Sequence, residues 1–423
     1  MVPYPLNGSS HLVRCAAALV AAMSFAPSTA LAQKVLVGGP AETVLFDLGA
    51  GRVAWSLPLS LLPWQPVVFT SDGRYVVTTS GTGIRVIDAV GGSSAEVPMS
   101  FQPHLAHPRD LVVYGLTGGT LSFGVMSRGT LARLDPAGLS TYGGCAPGTA
   151  NSLALSGDGH LLFERCDSGD LVVLDAATGA VLRTLPLGQD VSFDSNFDGS
   201  ALVVARSTAG GAVELLDSTT GTILNSTTVP AGNVCTPGIG RSSRDRTTVV
   251  VNCWFNSVPL PSWSSYVLSA ATWTWGATLA GLEINTVSIA PDNSTAFATY
   301  AHRLGFGDVR IYDLASGAIT LSVPGIAAIA VSYAPLAPAL AAAVTGRLVD
   351  LSWTLPPGSP AVTGYALEIG SAPGLTDLGT VAIGSQSTLT VPAVPPGRYY
   401  ARLRAENASG QSAPSGEVTV DVL

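Results

Sequence analysis

The feature that most constrains this chain is a short pattern that returns along most of its length: alternating apolar residues, an aspartate, two or three small residues, then glycine. It stands as Val44-Leu-Phe-Asp47-Leu-Gly-Ala-Gly51, Ile84-Arg-Val-Ile-Asp88-Ala-Val-Gly91 and Leu131-Ala-Arg-Leu-Asp135-Pro-Ala-Gly138. It returns as Leu171-Val-Val-Leu-Asp175-Ala-Ala-Thr-Gly179, Val213-Glu-Leu-Leu-Asp217-Ser-Thr-Thr-Gly221 and Val309-Arg-Ile-Tyr-Asp313-Leu-Ala-Ser-Gly317. A degenerate seventh copy, Tyr266-Val-Leu-Ser269-Ala-Ala-Thr, fills the gap before the last. Successive anchors lie 41, 47, 40, 42, 52 and 44 residues apart. A period in the forties marks one supersecondary unit that must stack on its neighbours to bury a core.

The unit is β. Alternation is a strand with one buried face, and aspartate followed by small residues and glycine is hairpin chemistry. A second turn signal precedes most copies, in Ser71-Asp72-Gly73, Gly157-Asp158-Gly159, Phe197-Asp198-Gly199, Arg244-Asp245-Arg246 and Pro291-Asp292-Asn293. Each period therefore holds about four short antiparallel strands, a propeller blade. Only three strands surround the first copy, at 35–37, 43–46 and 53–57. One extra strand, Ile326-Ala-Ala-Ile-Ala-Val-Ser332, follows the last. We expect it to complete the first blade, three plus one, leaving no open edge. The expectation is a closed seven-bladed propeller over 34–333.

Composition agrees. Charged residues make up 11% and hydrophobic ones 47%, with 47 glycines and 29 prolines, which excludes a disordered chain. The formal charge of −8 and the absence of any Lys/Arg-rich run exclude a nucleic-acid partner.

Residues 1–32 have the order of a secretory signal peptide. Arg14 precedes the apolar run Cys15–Ala26, and the small-residue site Ala30-Leu31-Ala32 precedes Gln33. The run is too short to span a bilayer, and no later stretch is long enough, so no transmembrane anchor is expected. The expected locations are secreted, periplasmic or cell-surface, after cleavage near Ala32.

The turn Ser-x-Asp-Gly and the strand ending in Ile-Asp or Leu-Asp before Thr-Gly or Ser-Gly resemble the YVTN-type β-propellers, kin at fold level to WD-repeat and lactonase-like propellers. The resemblance covers about 300 residues and implies secreted bacterial or archaeal proteins. It implies no site.

Four cysteines follow the leader. Cys166 and Cys253 each lie eight residues after a turn aspartate, Asp158 and Asp245; Cys145 and Cys235 lie 13 and 10 residues before those turns. Two repeat-equivalent disulfides are expected, Cys145–Cys166 and Cys235–Cys253, each within its own blade. A metal site is the alternative, but there is no Cys-x-x-Cys and no adjacent histidine.

The last ninety residues break the repeat. Residues 334–344 read as a linker and first strand, and 345–423 alternate strands and turns. Val349-Asp-Leu-Ser-Trp353, Val362-Thr-Gly-Tyr365-Ala-Leu-Glu-Ile-Gly370 and Pro396-Gly-Arg-Tyr399-Tyr-Ala-Arg-Leu-Arg-Ala405-Glu-Asn407 resemble a fibronectin type III domain. The resemblance implies a β-sandwich in which Trp353 is the core tryptophan of the second strand and Tyr399 the corner tyrosine. The fold class is all-β throughout.

Catalytic signals are thin. His104-Leu-Ala-His107 offers two ligands, yet Pro103 and Pro108 place the pair in a solvated loop without a third histidine. Gly-x-Ser-x-Gly is absent, and one lysine, Lys34, cannot build a phosphate loop. No catalytic residue, metal or cofactor is expected. The widest spacing, 52, holds Trp254, Phe255 and Trp263 around a Pro-rich insertion, with Trp273 and Trp275 beyond. The last two, at period two, read as core packing between blades. Trp254, Phe255 and Trp263 read as a binding loop able to stack on sugar rings or anchor a partner. The expected function is an exported, non-catalytic binding or scaffold protein of the bacterial cell surface or periplasm, with a surface protein or polysaccharide as partner. The alternative is a propeller enzyme, a lactonase-like hydrolase or lyase, working at the central channel.

Overall fold

The computed structural model describes residues 32–39, 42–47, 52–61, 66–80, 83–107, 110–118, 121–122, 125–126, 128–206, 211–230, 235–255, 262–279, 284–300, 307–326 and 328–423. The expected leader, up to residue 31, lies outside them. Within them the repeats fold into seven four-stranded antiparallel sheets. Sheet 1 contains β1 (Ala32–Gly38), β2 (Thr43–Asp47) and β3 (Arg52–Leu57). Sheet 2 contains β4 (Val67–Phe69), β5 (Tyr75–Thr79), β6 (Ile84–Asp88) and β7 (Ser94–Val97). Sheet 3 begins with β8 (Gln102–Ala106) and β9 (Val113–Thr117). A small hairpin, β10 (Leu121–Ser122) and β11 (Val125–Met126), intervenes before β12 (Thr130–Asp135) and β13 (Gly138–Thr141).

Sheet 4 is β14 (Ala150–Leu155), β15 (Leu161–Cys166), β16 (Asp170–Asp175) and β17 (Val181–Pro186). Sheet 5 is β18 (Val191–Ser195), β19 (Ala201–Arg206), β20 (Ala212–Asp217) and β21 (Ile223–Thr228). Sheet 6 is β22 (Cys235–Ser242), β23 (Thr248–Phe255), β24 (Ser262–Ser269) and β25 (Thr274–Leu279). Sheet 7 is β26 (Ile284–Ile289), β27 (Thr295–Tyr300), β28 (Gly307–Asp313) and β29 (Ile319–Ile326). The next strand, β30 (Ala328–Tyr333), returns to sheet 1 and pairs antiparallel with β1, Val331 opposite Val35.

The sheets stand in a ring. The strands β4, β8, β14, β18, β22, β26 and β30 each touch the next in that order, and β30 touches β4 again. An apolar cluster fills each interface. Leu36, Leu45 and Phe69 pack between sheets 1 and 2, and Phe163 and Phe193 between sheets 4 and 5; Phe46 and Phe297 close the ring between sheets 1 and 7. Middle strands are buried on both faces by their neighbours, as along β16, where Leu171 to Leu174 are all buried. Last strands are solvated: all four residues of β13 are exposed. A buried middle and a wet, charged or short outer edge let four-stranded sheets stack radially without aggregating.

Aspartates hold the turns. At the downstream turn Asp217 Oδ1 accepts Thr219 and Thr220 N–H at 2.8 and 2.7 Å, and Asp175 and Asp313 bond Thr178 and Ser316 alike. These bonds stabilise the ionised carboxyls and hold all three below the usual carboxylate range. At the upstream turn, Ser156 Oγ donates to Asp158 Oδ1 at 2.6 Å and accepts Leu161 N–H at 2.9 Å.

The C-terminal unit is a separate pair of sheets. One is β31 (Ala339–Thr345), β32 (Leu348–Thr354) and β35 (Thr388–Val391). The other is β34 (Gly379–Ile383), β33 (Gly364–Gly370), β36 (Gly397–Asn407) and β37 (Gly410–Gln411), with β38 (Val418–Val422) also on β36. Trp353 lies in their shared core, edge-on to Tyr365 at 5.3 Å between ring centroids. The Tyr399 hydroxyl donates to Pro395 O at 3.0 Å.

Candidate functional site

The seven first strands surround a cavity of about 430 Å3. Its walls are mixed. Phe69, Leu105, Phe193, Ile289 and Val331 supply apolar surface; Asp194, Arg244 and Arg246 supply charge. Gly358 and Ser359, from the C-terminal unit, line it too, so that unit covers one mouth of the channel. The junction is polar and close. Asn407 Nδ2 donates to Tyr333 O at 3.0 Å and to Ala361 O at 3.2 Å, and Ala408 N–H donates to Asp72 O at 3.1 Å. The hydroxyls of Ser332 and Ser409 are hydrogen-bonded. A Cβ on Gly358 would come within 2.6 Å of Asp245 N, so only glycine allows this approach.

The covered mouth is the one bearing the upstream turns, since Asp72 and Asp245 belong to them. One turn residue departs from the repeat in a way that builds the site. Gly73, Gly159, Gly199 and Asn293 occupy a left-handed turn position, and Arg246 occupies it in sheet 6 with φ 62°. Its Nη1 lies 2.6 Å from Asp194 Oδ2 on β18, and its Nη2 donates to Leu155 O on β14 at 2.6 Å. Arg246 thus ties three consecutive sheets at the channel wall. Its Nε and the Ser242 Oγ are buried with no hydrogen-bond partner among the described residues. Tyr333 caps the same end, fully buried against Ser288 Oγ at 3.2 Å, and burial pushes its phenol above the usual range.

The histidines are not in a solvated loop. His104 sits within β8, half-buried, with Nδ1 2.9 Å from Gln102 O; desolvation lowers its pKa. Pro103 is accommodated in the strand because the β8–β9 ladder shifts register there. His107 takes the place of the turn serine. Its Nδ1 accepts Asp110 N–H at 2.9 Å, which leaves Nε2–H to donate to Gly159 O at 3.0 Å. Both histidines line the cavity. Among the described residues no group of three His, Cys, Asp or Glu side chains is placed to hold a metal.

The aromatic cluster divides. Trp273 is not on a strand with Trp275: it sits in the turn before β25 with φ 56°. Both still pack against the cluster of Val203, Val251 and Leu268 between sheets 5 and 6, as expected of core residues. The β23–β24 ladder places Trp254 opposite Trp263 and Phe255 opposite Ser262. It runs three pairs further than the five-pair β15–β16 and β19–β20 ladders, about 10 Å of extra strand. Turns alternate between the ends of an antiparallel meander, so this hairpin leaves the ring on the side opposite the C-terminal unit. The side chains of Trp254, Phe255 and Trp263, and the insertion 256–261, lie outside the described residues.

Cys145 and Cys166 are bridged. The partners are not opposed strand residues, however. Cys166 pairs with Ala150, and Cys145 belongs to the connection arriving from sheet 3, so the bridge pins an inter-sheet crossing. Beside it Glu164, almost wholly buried, accepts Cys145 N–H at 3.0 Å; burial pushes its carboxyl up to about 7. Cys253 is also disulfide-bonded, while the Cys235 side chain lies outside the described residues. Sequence reasoning missed Glu164 and the Arg246–Asp194 pair. The one available signal was Arg246 standing where the other turns carry glycine or asparagine.

A closed ring of radially stacked four-stranded sheets is a β-propeller, here followed by an all-β C-terminal unit. No protein-family model and no curated protein matches the chain. Similar solved structures include dihydro-heme d1 dehydrogenase NirN in complex with DHE, at 14% identity and TM-score 0.46 over 73% of this chain and 78% of that one. The Myceliophteria thermophila Cps50 (Swd1) β-propeller domain is 13% identical, TM-score 0.46, over 64% of this chain and 90% of that one. A chain of the mitotic checkpoint complex is 13% identical, TM-score 0.45, over 69% and 84%. Among the described residues no helix is long and apolar enough to cross a membrane.

Proposed function

We propose that this chain is an exported, non-catalytic binding or scaffold protein of the bacterial cell surface or periplasm. In this reading residues 34–333 are a seven-bladed propeller of the YVTN type and 345–423 a fibronectin type III sandwich. Residues 334–344 supply its linker and first strand. The observation that carries the reading is the β23–β24 ladder, two or three pairs longer than its equivalents and bearing Trp254, Phe255 and Trp263 at its far end. A hairpin on a rigid disc presents aromatic residues at low entropic cost, which suits a polysaccharide or a surface protein. Export is supported by the Cys145–Cys166 bridge, which persists in oxidising compartments. A second bridge, Cys235–Cys253, belongs to the same proposal.

The test is retention of the mature protein on immobilised cell-envelope polysaccharide and on envelope protein, beside a copy carrying Trp254→Ala and Trp263→Ala with an unchanged melting temperature. Retention of the first and loss of the second supports the reading. Equal retention refutes the hairpin as the binding element.

A further inference from the structure

In every sheet of the ring the last strand leaves one edge outside the ladder. Such an edge pairs with another chain unless charge, proline, shortness or irregular backbone guards it. Most of these edges are guarded. β3 carries Arg52, β7 carries Glu96 in an ion pair with Arg85, β13 has four residues, and β29 contains Pro324. β17 has Arg183 at its middle and ends on Pro186. β25 is uncharged, but Gly276 interrupts it where its ladder shifts register.

β21 is the exception. Ile223-Leu-Asn-Ser-Thr-Thr228 holds no charge and no proline; five of its six residues are exposed, Ile223 and Leu224 by more than half. Its ladder with β20 shifts register at Leu216, but Asn225 to Thr228 then pair in unbroken order with Leu215 to Ala212. At the middle of the strand Ser226 N–H bonds the side chain of its own neighbour, Asn225 Oδ1 at 2.9 Å, a local cap that a partner strand can replace. Glu214, opposite Ser226 on β20, is buried and paired with Arg206 at 2.7 Å.

The surroundings are neutral as well. No Asp, Glu, Lys or Arg occurs in 218–240 or in 247–282, although 11% of the chain is charged. Trp275 Nε1 on β25 donates to Thr227 Oγ1 on β21 at 3.1 Å, which joins the two outer strands into one charge-free wall. Charge decides what can cover it. Two copies of a chain with formal charge −8 repel one another, and here they can meet without setting like charges together. A strand edge offers the same groups to its own copy, so two-fold pairing is self-complementary and closes at two.

We infer that β21 pairs antiparallel with β21 of a second copy of this chain, joining sheet 5 of two rings into one continuous sheet. Sedimentation equilibrium of the mature protein, from micromolar to submillimolar concentration, tests this. A reversible monomer–dimer equilibrium that tightens as salt screens the net charge supports the inference. A monomer throughout, or a mass that climbs past two copies, overturns it. Ser226→Lys, with an unchanged melting temperature, sets a hydrated charge in the middle of the edge and is expected to weaken the dimer at least tenfold. Thr228→Lys, at the exposed end of the strand, is expected to act in the same direction with less burden on the fold. Ser94→Lys, the same change on β7, and the Trp254→Ala/Trp263→Ala copy are expected to keep the parental dimer. A dimer that survives both lysines on β21, or one weakened equally by Ser94→Lys or lost with the two tryptophans, overturns the pairing.

Discussion

Arg246 reaches back 52 residues to set Nη1 2.6 Å from Asp194 Oδ2, and it does so from a backbone φ of 62°, in the left-handed region that Gly73, Gly159 and Gly199 occupy in the other turns. Two contributions of opposite sign meet in one residue. The ion pair, nearly sealed from solvent, stabilises the ring; the left-handed backbone of a residue with a Cβ destabilises it. Substitution separates them. Arg246→Ala removes the pair and keeps the strain, so it should lose about 2–3 kcal/mol in urea unfolding. Arg246→Gly removes both and should be about 1 kcal/mol more stable than the alanine variant. Identical midpoints for the two would mean that the turn carries no strain.

Glu164 should make stability depend on pH in an unusual direction. Its ordinary value is 4.5, and burial beside the Cys145–Cys166 bridge pushes it up to about 7. Below pH 4.5 the carboxyl is protonated in both folded and unfolded chains. Between 4.5 and 7 the unfolded chain ionises while the folded one keeps its proton. Stability from this group is therefore present at low pH and lost as pH rises to about 7, by about 3 kcal/mol. Glu164→Gln keeps an acceptor for the Cys145 amide and abolishes the loss, so its melting temperature should exceed that of the parent at pH 8 and flatten between pH 4.5 and 7. A parent with no slope in that window would show Glu164 ionised in the fold.

How legible this was depended on whether a feature repeats. The hairpin aspartates and the strand that closes sheet 1 follow from local patterns, because alternation and turn chemistry act between near neighbours in sequence; the core place of Trp353 is implied by the fibronectin type III resemblance. The channel follows from neither. His104 looked like a loop residue because proline flanks it, and only the ring reveals that β8 is a first strand with a register shift to absorb Pro103. The Arg246–Asp194 pair joins residues on different sheets, and Glu164 is buried by the connection from another sheet; neither leaves a periodic trace. The distance of Cys145 from Asp158 suggests a place in the same hairpin, but its backbone belongs to the crossing between sheets 3 and 4.

The Cys145–Cys166 bridge closes a loop across 21 residues of sequence separation, so its removal should cost about 3 kcal/mol in the chain-entropy account. The Cys145→Ala/Cys166→Ala double variant, compared with the parent in urea, checks this. Because the bridge fastens the inter-sheet connection whose Cys145 N–H donates to Glu164, the double variant should also show a changed slope between pH 4.5 and 7. A loss with unaltered slope would mean that Glu164 is held by its own bonds alone.

In the C-terminal unit the Tyr399 hydroxyl donates to Pro395 O at 3.0 Å from a position close to solvent. Tyr399→Phe removes one neutral hydrogen bond and keeps the ring, for an expected cost of about 1 kcal/mol. Calorimetry of the full chain should lower the transition to which the C-terminal unit contributes. A shift larger than a few degrees would place more than this bond on the hydroxyl.

Asn407 decides whether the C-terminal unit stays over the channel. Its amide nitrogen donates both to Tyr333 O, at the end of β30, and to Ala361 O, within the unit that covers the cavity. Asn407→Ala leaves two carbonyls unmet, which costs about 1–3 kcal/mol where water cannot enter. Asn407→Asp is the harsher change, because an acceptor-only carboxylate then faces two carbonyl oxygens. The neighbouring Ala408 N–H, donating to Asp72 O at 3.1 Å, is the reporter. Hydrogen exchange at Ala408 should quicken in the alanine variant and more in the aspartate variant, while amides of the buried strand β16 keep parental rates. Faster exchange in β16 as well would mean that the junction supports the whole ring; unchanged exchange at Ala408 would mean that the Ser332–Ser409 contact and the close approach of Gly358 hold the units together without Asn407.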